Sequence, residues 1–261
     1  MPQPFLHDIP SALAALLEAV LLFYLIRRKL VRLYPAFFLY IVTVILQSCL
    51  WHAAAWYWYP LQLQAWTIYW SSQAVVIFTR WLAITEIARH VLADYSGIRR
   101  MATRILFVVG TCVLLYALLV SRYIWTLMVL NADRAVELCI ATLVVGMFLF
   151  ARYYRLPMLD LERQLAIGFC LYSCAWVIND SILEHWHGTH WDFLNYVNIL
   201  AFLASLLLWI GAVRGAQQPR NLPVSERLSP ESYGELSAKL NSRLLLLNNR
   251  LDHMFRSGDS R

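Results

Sequence analysis

Seven times the chain passes through an apolar run close to the roughly 20 residues that a bilayer-spanning helix needs. The runs lie at about 9–26, 35–55, 66–90, 105–120, 135–151, 165–183 and 193–213. Composition closes off the soluble alternative. Of the 261 residues 60% are hydrophobic and only 15% charged, against about 45–50% and about 25% in ordinary soluble domains. The predicted fold is therefore all-α: a polytopic bundle of seven transmembrane helices over residues 1–214. A polar linker follows at 215–229, and a short amphipathic helix at 230–261.

Arginine fixes the expected orientation. Arg27, Arg28, Lys29 and Arg32 follow the first run. Arg89, Arg99, Arg100 and Arg104 follow the third, Arg152, Arg155 and Arg163 the fifth, and Arg214 and Arg220 the seventh. The intervening loops hold only Arg122 and Arg134. Basic loops mark the cytoplasmic side, so the N-terminus is expected outside and the C-terminus in the cytoplasm, in the cell's inner (plasma) membrane. No basic n-region or AxA-like site announces a signal peptide. Tryptophans and tyrosines crowd the opposite face, Trp51, Trp56, Tyr57, Trp58, Tyr59, Trp66, Tyr69 and Trp70 in one turn, with Trp186 and Trp191 in the last outer loop. They read as an interfacial belt or as an aromatic cage for a ligand. The apolar stretch 123–130 either lengthens the fourth helix or lies along the outer interface.

The third run carries Gln73, Arg80 and Glu86 along a helix of membrane length. An ionised group at that depth costs at least about 2.5 kcal/mol, so such residues turn inward toward a partner. Gln73 and Arg80, seven apart, share a stripe, whereas Glu86 faces elsewhere. Glu18, near the middle of the first run, is the expected partner in an Arg80–Glu18 ion pair. Glu86 is expected among Arg89 and His90 at the inner interface. Other polar residues gather in the outer halves: Gln47 and His52, Glu137, Asn179 and Asp180, Asn195 and Asn198. With Glu18 and Gln73 they are the candidate pocket, unless each simply makes an interhelical hydrogen bond.

The last outer loop holds His185, His187 and His190 among Asp180, Glu184 and Asp192. These could bind zinc, copper or nickel, titrate as a pH sensor, or be solvated; their spacing matches no established metal motif. The five cysteines lie in apolar runs without a CxxC spacing, and Cys170 and Cys174 share a helical face as packing residues. No lysine in the seventh run could hold retinal, and His52 is the lone intramembrane histidine, short of the pair that haem ligation wants. No GxSxG, HExxH or P-loop occurs. Neither an enzyme, a cofactor nor a nucleic-acid surface is expected. In the tail, Leu240, Leu244, Leu247, Leu251 and Met254 form a short heptad seam that would serve a homodimer, a cytoplasmic partner or the inner leaflet.

The stretch from Glu86 through Arg89, His90, Tyr95 and Gly97 to Arg99, with seven runs and an outside N-terminus, resembles uncharacterised bacterial seven-helix membrane proteins and seven-helix sensor modules. That resemblance implies the architecture and no catalytic residue. The expectation is a receptor or sensor whose outer pocket shifts helix packing. The rivals are a small-solute or proton-coupled transporter, with Arg80, Glu18 and Glu86 lining the path, and a scaffold without ligand. Discontinuous helices would favour transport; the interior glycines are Gly110, Gly146, Gly168 and Gly211, with no interior proline expected.

Overall fold

The computed structural model describes residues 5–57, 62–93, 95–121, 124–154, 158–185, 191–216 and, in the tail, 242, 245–247 and 249–250. Within these, the side chains of 5–9, 11, 54–57, 62–66, 96, 154, 180–185 and 191–195 are outside the description. Seven α-helices are found among the described residues: α1 (Phe5–Arg27), α2 (Pro35–Tyr57), α3 (Gln62–Val91), α4 (Ser96–Val120), α5 (Trp125–Tyr154), α6 (Asp160–His185) and α7 (Trp191–Gly215). No strand occurs among them. Segments within α2, α4, α5 and α7, at Pro35–Ala53, Gly97–Val120, Trp125–Tyr153 and Tyr196–Gly215, are long and apolar enough to cross a membrane. Their outward faces are hydrocarbon: Phe107 is 75% exposed, Leu119 73% and Leu200 64%. Water would not tolerate so much contiguous apolar surface on a monomer. The chain is a membrane-embedded helical protein.

Consecutive helices pack side by side and α7 returns to α1, closing a ring. Within it α3 also touches α5 and α6, so it meets four neighbours. The polar helix is thus the central one, where its Arg80 is shielded from lipid. α4 is the peripheral member, packing on α5 and α3. Gly110 lets it pass closely over α3, because a Cβ there would stand 3.1 Å from the Trp81 indole nitrogen.

Three starting points differ from the sequence reading. α5 begins at Trp125, so the stretch 123–130 neither lengthens the fourth helix nor lies apart from the fifth, and Asp133 falls inside a helix. α4 begins at Ser96, well before residue 105. α1 begins at Phe5, which places Pro10 inside it at the sixth position, against the expectation of no interior proline; its missing N–H leaves the Leu6 carbonyl without its intrahelical donor. Of the tail seam, Leu247 is helical and exposed, while Leu240, Leu244, Leu251 and Met254 lie outside the described residues.

At the arginine-rich end the helix termini are tied together. Pro35 occupies the first helical position of α2, and the Glu86 carboxylate accepts the next two free amides, Ala36 N–H at 3.2 Å and Phe37 N–H at 3.0 Å. A carboxylate there satisfies orphan donors and complements the helix dipole. Glu86 therefore caps α2 at the arginine-rich end, with Arg89 and His90 near it on its own helix. Arg28 Nη2 donates to the Arg214 carbonyl at the end of α7, 3.0 Å away. Lys29, with φ 57°, makes the left-handed turn that brings Arg28 round. Tyr34 donates to Glu162 at 3.3 Å; burial, with the Glu162 charge beside it, pushes its phenol above the ordinary tyrosine range.

Candidate functional site

Arg80 projects from α3 into a carboxylate pair supplied by α5, one turn apart. Its Nη1 lies 3.3 Å from Asp133 Oδ1 and also pairs with Glu137 Oε1. Gln73 donates to the second Asp133 oxygen at 2.9 Å, and Gln47 of α2 donates to Gln73 at 2.7 Å. Three helices are thus joined by one chain of polar contacts, Gln47–Gln73–Asp133–Arg80–Glu137. The guanidinium also stands over the rings of Tyr172 (5.1 Å) and Tyr40 (5.8 Å). Arg80, Asp133 and Glu137 are all at most 3% exposed. Separating such a buried pair would strand charge in a low-dielectric interior.

The expected Arg80–Glu18 pair is corrected by this geometry. No ion pair within 4 Å joins them. The helices α1 and α3 do not touch, whereas α5 packs on α3 and presents two carboxylates at the right level. Between α1 and α3 there is space instead. A cavity of about 730 Å³ is lined from five helices, with Glu18 on α1, Tyr40 and Gln47 on α2, Gln73 and Arg80 on α3, Tyr172 and Trp176 on α6, and Asn198 on α7. It extends to Pro10, Trp51 and His52, where Trp51 and His52 are exposed, and so reaches the surface at the end where α1 begins. Toward the other end it stops against Tyr40 and the packed rings beyond. There Phe37, Phe169 and Trp209 cluster with ring centroids 4.9–6.0 Å apart, all fully buried beside Leu21, Ile84 and Leu165. Gly168 makes the fit possible, since a Cβ on it would lie 2.3 Å from the Trp209 indole nitrogen, which donates to the Leu165 carbonyl at 3.1 Å.

Glu18, Gln47, His52, Gln73 and Asn198 of the candidate pocket line the cavity. Glu137 does not, because it sits behind the Arg80 guanidinium as its partner. Asn179 is buried but is not among the lining residues. The side chains of Asp180, Asn195 and His185 lie outside the described residues, as do His187 and His190 altogether. Among the described residues no three His, Cys, Asp or Glu side chains are grouped to hold a metal ion. The Cys170 and Cys174 sulfurs are 3.9 Å apart as free thiols.

Glu18 is distinctive. It is 2% exposed, lines the cavity, and makes no hydrogen bond or ion pair among the described residues. Asn198 Oδ1 and Trp176 Nε1, in the same wall, also have no hydrogen-bond partner. Sequence reasoning missed Asp133, Tyr40 and Tyr172. Asp133 and Glu137 at i, i+4 within one apolar stretch were a usable signal for the first; nothing in the pattern distinguished the two tyrosines from packing residues. No family model, curated protein or solved structure matches the chain.

Proposed function

We propose that the protein is a receptor or sensor built on seven membrane-spanning helices, its N-terminus outside, its C-terminus in the cytoplasm, and its binding site the cavity beside Glu18. One observation carries this reading: the cavity reaches the surface at the arginine-poor end and stops against a packed aromatic core. Its volume of about 730 Å³ falls within the range of about 300–1,000 Å³ typical of small-molecule sites. A ligand there would touch α1, α2, α3, α6 and α7 at once, and so would bias how they pack. The leucine seam of the tail is the element that would pass the change to a cytoplasmic partner.

Cysteine accessibility in intact cells tests the proposal. In a background whose five native cysteines are replaced, Val44→Cys and Val76→Cys should react with a membrane-impermeant thiol reagent added outside. Ile84→Cys and Phe169→Cys should stay protected from either side. Reaction of the latter pair with reagent supplied to inverted vesicles would point to a path through the membrane, and hence to transport. Protection of all four would point to a solid scaffold.

A further inference from the structure

Glu18 raises a question of charge balance. The cavity's surroundings hold three carboxylates, Glu18, Asp133 and Glu137, and one guanidinium. Arg80 is engaged by both α5 carboxylates, so it has no charge left for Glu18. An ionised carboxylate isolated at this depth is costly. It stands here unpaired, and the Arg80 cluster across the cavity, with two carboxylates to one guanidinium, has no net positive charge to offer it. Either a proton or a cation must accompany it.

The walls say which kind of cation fits. Hard metal ions want six or more oxygen ligands gathered closely around them, and this cavity, with Glu18 as its one carboxylate and a volume of about 730 Å³, is far larger than a bare ion. Beside the polar side chains of Gln47, Gln73 and the already paired Arg80, much of its wall is aromatic and aliphatic: Tyr40, Tyr69, Tyr172 and Trp176, with Val44 and Phe202. Aromatic faces attract ammonium groups, by about 2 kcal/mol or more where both are desolvated, and they cover an apolar ligand body equally well. Resting on the receptor reading above, we propose that the cavity takes a small organic amine, its ammonium paired with Glu18 and its apolar body against the Tyr40, Tyr172 and Trp176 rings. The Asn198 Oδ1 atom is a second acceptor for the ammonium N–H groups.

The experiment uses the full chain in lipid nanodiscs and three probes of one shape: 2-phenylethylammonium, 2-phenylethanol and phenylacetate. Binding is read from tryptophan fluorescence, to which Trp51 and Trp176 contribute, and from the shift of the unfolding midpoint. The ammonium should bind at least about tenfold more tightly than the alcohol, equivalent to about 1.4 kcal/mol, and phenylacetate most weakly. Glu18→Gln should erase that preference, leave the alcohol's affinity unchanged, and not lower the unfolding midpoint of the empty protein, because Glu18 has no partner to lose. The charge series on the unmodified protein decides the matter if E18Q does not assemble. Equal binding of ammonium and alcohol, preference for phenylacetate, or an undiminished preference in E18Q would overturn the amine proposal. If no probe binds while Val44→Cys and Val76→Cys remain accessible, only the amine proposal falls. If those cysteines are also protected, the receptor reading falls with it.

Discussion

Around Phe37, Phe169 and Trp209 the helices meet ring against ring, and the polar groups present are used up as ties between helix ends. Glu86 caps α2, Tyr34 donates to Glu162, and Arg28 caps α7. Around Glu18, Gln73 and Arg80 the same helices stand apart over a cavity, and polar groups line it. Both halves lie in the same seven helices, so propensity does not separate them. The difference is what each buried polar group has been given. Where every donor and acceptor is matched within the protein, the interior closes. Where a carboxylate and an amide oxygen are left without partners, the interior stays open to something else.

The largest expected effect comes from breaking the one charged network in the open half. Arg80→Met leaves Asp133 and Glu137 as neighbouring carboxylates without a cation, and removal of one member of a buried ionic group costs roughly 3–5 kcal/mol. The unfolding midpoint in nanodiscs should fall sharply, with a smaller share of monodisperse protein on gel filtration. The triple variant Arg80→Met, Asp133→Asn, Glu137→Gln should recover more than half of the loss, since it removes the stranded charges as well. A triple variant no better than R80M would mean that the guanidinium matters for its stacking on Tyr40 and Tyr172 rather than for its charge.

The closed half is tested next, through its tightest contact. Gly168→Ala forces a methyl against the Trp209 indole, which is itself fully buried and hydrogen-bonded, so the ring has nowhere to swing. Overpacking of this kind costs about 1–3 kcal/mol. Gly146→Ala is the control: a Cβ there meets nothing within 4 Å, and alanine is the better helix former by up to about 1 kcal/mol. The two substitutions should move the unfolding midpoint in opposite directions. Equal shifts would show that the aromatic cluster yields more readily than its packing implies.

How much of this was legible in the sequence differs between the two halves in the same way. That the chain is helical and membrane-embedded, and roughly where its helices lie, could be read, because each apolar run must hide its backbone within itself; four of the helices are long and apolar enough to cross a membrane. That Arg80 needs carboxylates from another helix could also be read, because charge at that depth demands it. Which helix supplies them could not. Glu18 and the Asp133/Glu137 pair are equally plausible by depth, and only the packing of α5 rather than α1 on α3 chooses between them. The start of α5 mattered too: reading 123–130 as apart from it hid Asp133. Glu86 was read at the right level, beside Arg89 and His90, but its role as a cap was not legible, since a cap is made to the backbone of a distant helix and leaves no trace in local pattern. The aromatic cluster that ends the cavity was invisible, because Phe37, Phe169 and Trp209 look like any other apolar residues until three helices bring them together.

Glu86 provides a graded test of the closed half. Glu86→Gln keeps the size of the side chain and one acceptor oxygen, but loses the charge and the second acceptor on the Ala36 and Phe37 amides. Loss of a helix cap costs about 0.5–2 kcal/mol, and E86Q should fall in the lower part of that range while Glu86→Ala reaches the upper part. Both should leave Val44→Cys accessibility unchanged, since the cap stands at the opposite end from the cavity mouth. A change in cavity accessibility on removing the cap would mean that the cap also holds the cavity wall in place along α2.

The smallest effect is expected at the boundary between the halves. Thr43 and Thr79 join α2 to α3 through hydroxyls 2.9 Å apart, between the levels of Gln73 and Arg80. Each hydroxyl also has a carbonyl within its own helix: Tyr40 O at 2.7 Å for Thr43, and Val75 O and Val76 O at 3.1 Å for Thr79. A hydroxyl has one proton, so these acceptors compete, and a threonine that loses its interhelical partner can still donate locally. Thr79→Val should therefore cost about 0.6 kcal/mol, the average for such bonds between membrane helices, and Thr43→Val no more. In the double variant the losses should be less than additive, because each single change already removes the shared bond. Strict additivity in that cycle would place the two hydroxyls out of contact, and the boundary between the open and closed halves would then be held by the Gln47–Gln73 bond above it and the Glu86 cap below.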